Sequence, residues 1–348
     1  MTATPTIVFV ADAGPQVGGG HLMRCLTLAE ALARRGGACA FLSPPPAAAL
    51  LDAFAPPGIG RVAAASPAPV DLVAAGRAAA ERLGASLVVF DHYGLGAAEQ
   101  GAIAAGRRTV VIDELADRPL APDLLVDVTQ GRGESDYAAL LPPAARRLLG
   151  PRYALVRPEF RALRAASLAR RRAGAAVKTV LVSMGLTDLG GVTAEVVSAV
   201  REVLPDCALE VVLADTAPSW PALVALARSG APIRLHAAAR HMARLMHDAD
   251  LAVGAGGGTG WERCTLGLPS LTVILAANQR ASAQGLAASG ATLALDARAP
   301  DFAGALRGDL ARLAADPALR LRLAETSAAI CDGEGAERVA AACLDLLG

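Results

Sequence analysis

Lysine is almost missing from this 348-residue chain: Lys178 is the only one, and arginine carries the remaining positive charge. Acidic and basic residues balance at 33 each, so the formal net charge is zero. No basic excess is available to attract nucleic acid or an anionic membrane surface. The six cysteines (Cys25, Cys39, Cys207, Cys264, Cys331 and Cys343) are scattered, with no C-x-x-C pair and no His/Cys metal spacing. Most sit in apolar or helical runs, as reduced thiols in a cytosol do. No uncharged apolar run reaches the length of a membrane span. Met1 to Thr6 has neither a basic residue nor a long apolar core, so no signal peptide is expected and the chain reads as cytoplasmic. A Walker G-K-[ST] is missing. So is the acid that a dinucleotide fold places after its second strand, which here ends Phe41-Leu42-Ser43-Pro44. Metal, NAD and P-loop nucleotide chemistry are all disfavoured.

What remains is a globular composition, 53% hydrophobic and 19% charged, in a chain long enough for two cores. Short apolar runs alternate with longer helical patterns, which predicts parallel α/β architecture. Strands are expected at Ile7–Val10, Cys39–Ser43, Leu87–Asp91, Thr109–Asp113 and Leu124–Val126. The pattern restarts at Thr179–Ser183 and continues through Leu209–Leu213, Ile233–Leu235, Leu251–Gly254, Leu271–Leu275 and Thr292–Leu295. This predicts one Rossmann-like domain over 1–160, a linker over 161–176 and a second such domain over 177–348, with a last helix able to cross back. Pro44-Pro45-Pro46 and Ala55-Pro56-Pro57-Gly58 read as loops around a short helix.

Each half carries one glycine-rich turn between a strand and a helix. The first is Val17-Gly18-Gly19-Gly20-His21-Leu22-Met23-Arg24. Glycines admit a ligand close to the backbone, a helix start offers free N–H groups to an anion, and His21 is a base beside them. His21 opening a helix and packing is the plainer alternative. The second turn runs Gly254-Ala255-Gly256-Gly257-Gly258-Thr259-Gly260-Trp261-Glu262, a cradle for a diphosphate with an acid placed for ribose hydroxyls. Thr259-Gly260-Trp261-Glu262 also spells a capping box, and the two readings are compatible.

Polar clusters end other strands, at the edge where ligands bind in open α/β sheets: Asp91-His92-Tyr93, Asp113-Glu114, Ser183-Met184-Gly185-Leu186-Thr187-Asp188 and Asn278-Gln279. Asn278 alone would also serve as a helix N-cap. Asp248-Ala249-Asp250 spells a metal-binding D-x-D, but a helix end followed by a strand start should splay its carboxylates. His236, His241 and His247 read as ordinary surface or capping histidines.

In this order the motifs resemble the UDP-sugar hydrolases of pseudaminic acid biosynthesis, which supply sugar for flagellin glycosylation. They are Asp12 to Ala29, Asp91-His92-Tyr93, Asp113 to Asp117, Gly150 to Phe160, Ser183 to Asp188, Gly254 to Gly267 and Asn278-Gln279. The chain departs from that family with Val10-Ala11-Asp12 in place of Arg-x-Asp, and with Gly185-Leu186 in place of Gly-Gly. The resemblance implies a GT-B fold, two Rossmann-like domains facing a cleft. Its catalytic histidine, cleft tyrosine and cleft asparagine fall on His21, Tyr93 and Asn278, and its nucleotide loop and ribose acid on Gly256, Gly257, Gly258 and Glu262. Further substrate contacts are expected at Asp12, Gly18, Gly19, Gly20, Arg24, Asp91, Ser183, Gly185, Asp188, Thr259 and Gln279.

The implied reaction is hydrolysis of a UDP-linked diacetamido-trideoxy hexose at its anomeric C–O bond, with no metal and no cofactor. The expected partner is the UDP-sugar itself; the oligomeric state is open. Two rivals stand beside it. One is an inverting UDP-sugar glycosyltransferase similar to the lipid-intermediate N-acetylglucosaminyltransferases; the other is a nucleotide-sugar-binding protein without turnover.

Overall fold

In a computed structural model of the chain, residues 4–14, 17–237 and 239–348 are described. The chain divides into two compact units, Met1–Leu155 with Glu334–Gly348, and Val156–Gly333.

The first unit is built on β1 (Thr6–Ala11), α1 (Gly20–Arg34), β2 (Ala38–Ser43), α2 (Pro45–Phe54), β3 (Gly60–Ala63), α3 (Pro69–Arg82), β4 (Leu87–Asp91), α4 (Ala97–Ala104), β5 (Arg108–Ile112), β6 (Leu124–Asp127) and β7 (Arg146–Leu149). Its sheet is parallel, in the order β3-β2-β1-β4-β5-β6-β7. Strands covered on both faces need continuous apolar runs, and Ile7-Val8-Phe9-Val10 and Leu87-Val88-Val89-Phe90 supply them, each at most 1% exposed. Phe9 stacks on Phe41 of the neighbouring strand at 4.6 Å between ring centroids. On α1, Leu22, Cys25, Leu28, Ala29 and Leu32 recur at helical spacing and are fully buried. Chain order reverses between β1 and β4, the position in open α/β sheets where loops leaving the carboxyl edge diverge.

The second unit holds α5 (Pro158–Arg172), β8 (Thr179–Ser183), α6 (Val192–Val203), β9 (Ala208–Val212), α7 (Trp220–Arg228), β10 (Ile233–His236), α8 (Met242–Asp248), β11 (Leu251–Ala255), α9 (Thr259–Thr265), β12 (Ser270–Ile274), α10 (Ala277–Ala288), β13 (Leu293–Asp296), α11 (Phe302–Ala315) and α12 (Pro317–Ile330). Its parallel sheet is ordered β10-β9-β8-β11-β12-β13, with the reversal between β8 and β11. A final helix, α13 (Gly335–Asp345), belongs to the first unit, where Glu337 pairs with Arg34 of α1 and with Arg35, which follows it.

Two strands and two helices lie where the sequence predicts none. The strands, β3 and β7, are edge strands with half-exposed residues and little of the apolar run that marks a central strand. The helices are α11 and α12, joined at Asp316-Pro317; the Asp316 carboxylate accepts the Leu319 N–H, so it caps α12. Buried arginines close several helix ends in the second unit. Arg171 donates to carbonyls at the end of α8, and Arg320 to those at the end of α11.

Candidate active site

The loop after β1 delivers His21 to the first turn of α1, and β4 ends on Asp91 in register with Ala11. The His21 Nδ1 lies 2.5 Å from Asp91 Oδ1, with both side chains buried. Arg24, one helical turn beyond His21, grips the same carboxylate from Nε and Nη2, both at 2.6 Å. Its Nη2 also donates to Glu114 Oε2 at 2.7 Å. The Tyr93 hydroxyl donates to Glu114 Oε1, and the tyrosine ring meets the His21 ring edge-on at 4.5 Å. Cys25 completes the shell, its thiol 3.5 Å from Asp91 Oδ2.

This network fixes the imidazole. An ionised Asp91 can only accept, so the short contact puts the His21 proton on Nδ1 and leaves the Nε2 lone pair as the base. Among the described residues Nε2 makes no hydrogen bond, and it is not among the side-chain atoms sealed from solvent without a partner. Burial, the strongest single influence, opposes charge on His21; the Asp91 carboxylate outweighs it with help from Glu114, and the pKa rises above the ordinary 6.5. Charge counting gives the same direction. With His21 neutral, Arg24, Asp91 and Glu114 leave one net negative charge in the cluster, and protonation of His21 cancels it. Burial also presses on Asp91, but Arg24 and His21 hold its pKa far below the usual carboxylate range. Burial drives the Cys25 thiol well above its usual value, so it is no nucleophile.

Asp91 and Arg24, both expected as substrate contacts, face each other. Asp91 is 0% exposed and its oxygens are taken by His21, Arg24 and Cys25, which leaves no position for a ligand. They hold the histidine. Glu114, read from the sequence only as part of a polar strand end, belongs to the same cluster. Its position two residues past β5, directly after Asp113, is the signal that marks it. Asp12 is half-buried at the end of β1, its Oδ1 3.8 Å from His92 Nε2. The adjoining loop carries Gly18, Gly19 and Gly20, and Gly20 has open space where a side chain would stand.

In the second unit the corresponding loops follow β8 and β11, the two strands flanking the reversal. Ser183 pairs in register with Gly254 and is buried. Gly185 takes a left-handed φ of 94°. Asp188 does not face a ligand: it is 0% exposed and accepts from the Thr193 N–H and hydroxyl and from the Ser219 N–H, so it pins its loop to α6. Gly256 is needed for close approach, since an added Cβ would stand 3.2 Å from the Gln279 Cβ. Gly257 and Gly258 are required by neither packing nor a positive φ; a side chain there would meet nothing. The turn presents bare backbone on that side.

The expected capping box is not formed. Gly258 occupies the N-cap, Thr259 Oγ1 accepts from Arg263, and Glu262 is taken by Arg157. Arg157 Nε and Nη2 donate to Glu262 Oε1 at 3.1 and 3.0 Å, while Oε2 is buried with no partner. Burial raises the Glu262 pKa, with Arg157 opposing. Arg157 gave no signal as a site residue beyond lying in one of the motifs above. Nor is Asn278 an N-cap: Ala276 holds that position at the start of α10, and Asn278 stands half-buried inside the first turn. Gln279 folds back, its Oε1 accepting the Leu275 N–H. The carboxylates of Asp248 and Asp250 go to Arg244 and Arg170, as their splayed placement predicts.

No family model matches the chain. It is similar to the spore coat polysaccharide biosynthesis protein SpsG of Bacillus subtilis (strain 168), 28% identical over 201 residues. That match covers 57% of this chain and 58% of SpsG, less than two thirds of either. Among solved structures, MurG of Acinetobacter baumannii superposes with a TM-score of 0.68 at 18% identity, covering 99% of this chain and all of that one. LpCGTa in complex with UDP gives 0.65 at 17%, with 99% of both chains covered. The spinosyn forosaminyltransferase SpnP also gives 0.65 at 17%, covering 99% and 100%. No helix among the described residues is long and apolar enough to cross a membrane. At such identities the likeness is one of architecture, and the chain has the GT-B fold, two Rossmann-like parallel-sheet units each with its strand-order reversal.

Proposed function

We propose that the protein is an enzyme acting on a UDP-linked amino sugar, with His21 as the base that activates the group displacing UDP from the anomeric carbon. The observation that carries this is the His21–Asp91 pair, which sets the tautomer and leaves Nε2 as a base. The reading assigns the base to the first unit and the nucleotide to the second, where the bare turn at Gly257 and Gly258 suits a diphosphate. The fold shared with glycosyltransferases favours a hydroxyl acceptor, and hence glycosyl transfer; a single direct attack opposite UDP would invert the anomeric carbon. His21 would take the acceptor proton as the new C–O bond forms and the bond to UDP breaks. Tyr93 and Asn278 would orient the sugar.

A second reading keeps the same residues and substitutes water as the acceptor. The ordered set of motifs around His21, Tyr93 and Asn278 favours it, and the substrate would then be the diacetamido-trideoxy hexose of pseudaminic acid biosynthesis. One experiment separates the two: incubate the purified protein with a panel of UDP-amino sugars, with and without hydroxyl acceptors, and identify products by mass spectrometry. UDP release only with an acceptor supports transfer, and release of free sugar without one supports hydrolysis. No release from any donor, with or without acceptor, would sink both.

A further inference from the structure

Arg263 lies against the glycine turn of the second unit with no carboxylate bonded to it; the neighbouring Glu262 acts on it only through space. It is 2% exposed. Its Nη1 donates to Thr259 Oγ1 at 3.3 Å, and its Nη2 to the Ala255 carbonyl at 3.1 Å and Thr272 Oγ1 at 3.2 Å, while Nε has no partner. Every acceptor is neutral. The adjacent Glu262 is turned to Arg157, and the Cys264 thiol, raised by burial to about 12, stays protonated. A guanidinium does not shed its proton in a protein, so the cation must be accommodated where it stands. A buried charge with only neutral partners is expensive, and such charges are ordinarily paired.

The turn is shaped around this group. A Cβ on Gly254 would stand 2.4 Å from Arg263 Nη1, and one on Gly260 3.8 Å from Nη2. The guanidinium thus lies against residues on either side of Gly257 and Gly258, where an added side chain would meet nothing. We propose that Arg263 is a buried countercharge for a diphosphate bound at Gly257 and Gly258, a positioning residue that acts through the backbone without touching the ligand. This rests on the nucleotide-sugar reading and adds to it the group that makes the second unit prefer a diphosphate over an uncharged nucleoside. Field lines crossing a thin, water-excluded layer of backbone are weakly screened, so one such charge should be worth about tenfold or more in affinity.

The competing view is that Arg263 simply bolts β11, α9 and β12 together, which would move all ligands alike. The test is calorimetric titration of UDP, uridine and inorganic pyrophosphate into the full-length protein and into Arg263→Gln, which keeps an amide donor for the Ala255 carbonyl. Expected are a UDP-to-uridine affinity ratio of about 100 or more in the wild type, a fall of that ratio by about tenfold or more in the variant, and unchanged uridine binding. An unchanged ratio, or equal loss of UDP and uridine, would overturn the proposal. If Arg263→Gln does not fold, Arg263→Lys decides: a ratio within about threefold of wild type supports a role for charge, and its collapse overturns it. Binding of pyrophosphate but of no uridine compound would uphold the countercharge while refuting the nucleotide-sugar reading. Wild-type protein that binds neither UDP nor pyrophosphate overturns the inference.

Discussion

His21 and Arg24 converge on one carboxylate, Asp91, the imidazole at 2.5 Å and the guanidinium through two bonds of 2.6 Å. The arrangement makes Asp91 the part on which the base depends, although it cannot reach a substrate. Asp91→Asn removes the charge that fixes the Nδ1–H tautomer and leaves Arg24 with Glu114 alone. We expect kcat to fall about 100-fold or more, the size of a general-base contribution. Stability should drop by about 3 kcal/mol, as when one member of a buried ion pair is removed. Steady-state kinetics and urea denaturation of the same preparation check both.

The pH profile follows from the sign of the His21 shift. A base works only when neutral, so a pKa raised above 6.5 places the acid limb of kcat/KM above that value. Glu114 contributes to the rise, and Glu114→Gln therefore moves the limb to lower pH. A limb that stays in place or moves up in that variant counts against His21 as the titrating base. The linked stability runs in a defined window. The raised His21 pKa stabilises the fold below 6.5 and is lost as pH rises through the folded value; the depressed Asp91 pKa stabilises it above 3.8 and is lost as pH falls through its own. Thermal stability of wild type relative to Asp91→Asn should be greatest between those limits.

The sequence made the sheets legible because their central strands are unbroken apolar runs, and it located both glycine turns because each follows such a run. It could not show how the polar strand ends partner one another. Asp91, Arg24 and Glu114 are far apart in the chain, and only the reversal of strand order between β1 and β4 brings His21 and Arg24 against Asp91. Hence Asp91, expected to meet substrate, is enclosed and supports the histidine, with Arg24 gripping the same carboxylate. Edge strands β3 and β7 were missed because a strand paired on one side needs little apolar sequence. The helices after β13 were missed although Leu306, Leu310 and Leu313 have helical spacing and Asp316-Pro317 is a cap followed by a first-turn proline.

The Arg157–Glu262 pair leads to a test on ligand chemistry. Arg157 fixes the Glu262 carboxylate through Oε1, so on the reading that Glu262 meets the ribose, removing the arginine should blur recognition of the diol. Arg157→Ala is expected to weaken UDP about tenfold, the worth of one hydrogen bond to a charged group, while 2′-deoxy-UDP loses little. Titration calorimetry with both nucleotides measures the coupling. Equal losses for the two would mean that Arg157 serves packing on the Phe160 ring, which its guanidinium overlies at 5.1 Å, and not the ligand.

Two glycines that look alike in the sequence should respond differently to alanine, because different atoms face them. At Gly335, where α13 begins, an added Cβ would lie 2.3 Å from the Ala154 carbonyl oxygen and 2.4 Å from the Tyr153 carbonyl carbon. Those are backbone atoms of a short 3₁₀ turn and its cap, and neither can swing aside. At Gly254 the nearest obstacle is Arg263 Nη1, the far end of a long side chain, with the Ser183 carbonyl oxygen farther off at 3.3 Å. Overpacking costs about 1–3 kcal/mol and more where nothing can relax, so Gly335→Ala should lose upwards of about 3 kcal/mol in urea denaturation. Gly254→Ala should lose less, because the guanidinium can shift, and its main effect should appear as weaker binding of UDP relative to uridine. If Gly254→Ala proves the more damaging to the fold, Arg263 is rigidly placed and its contacts with Ala255, Thr259 and Thr272 matter chiefly to the sheet.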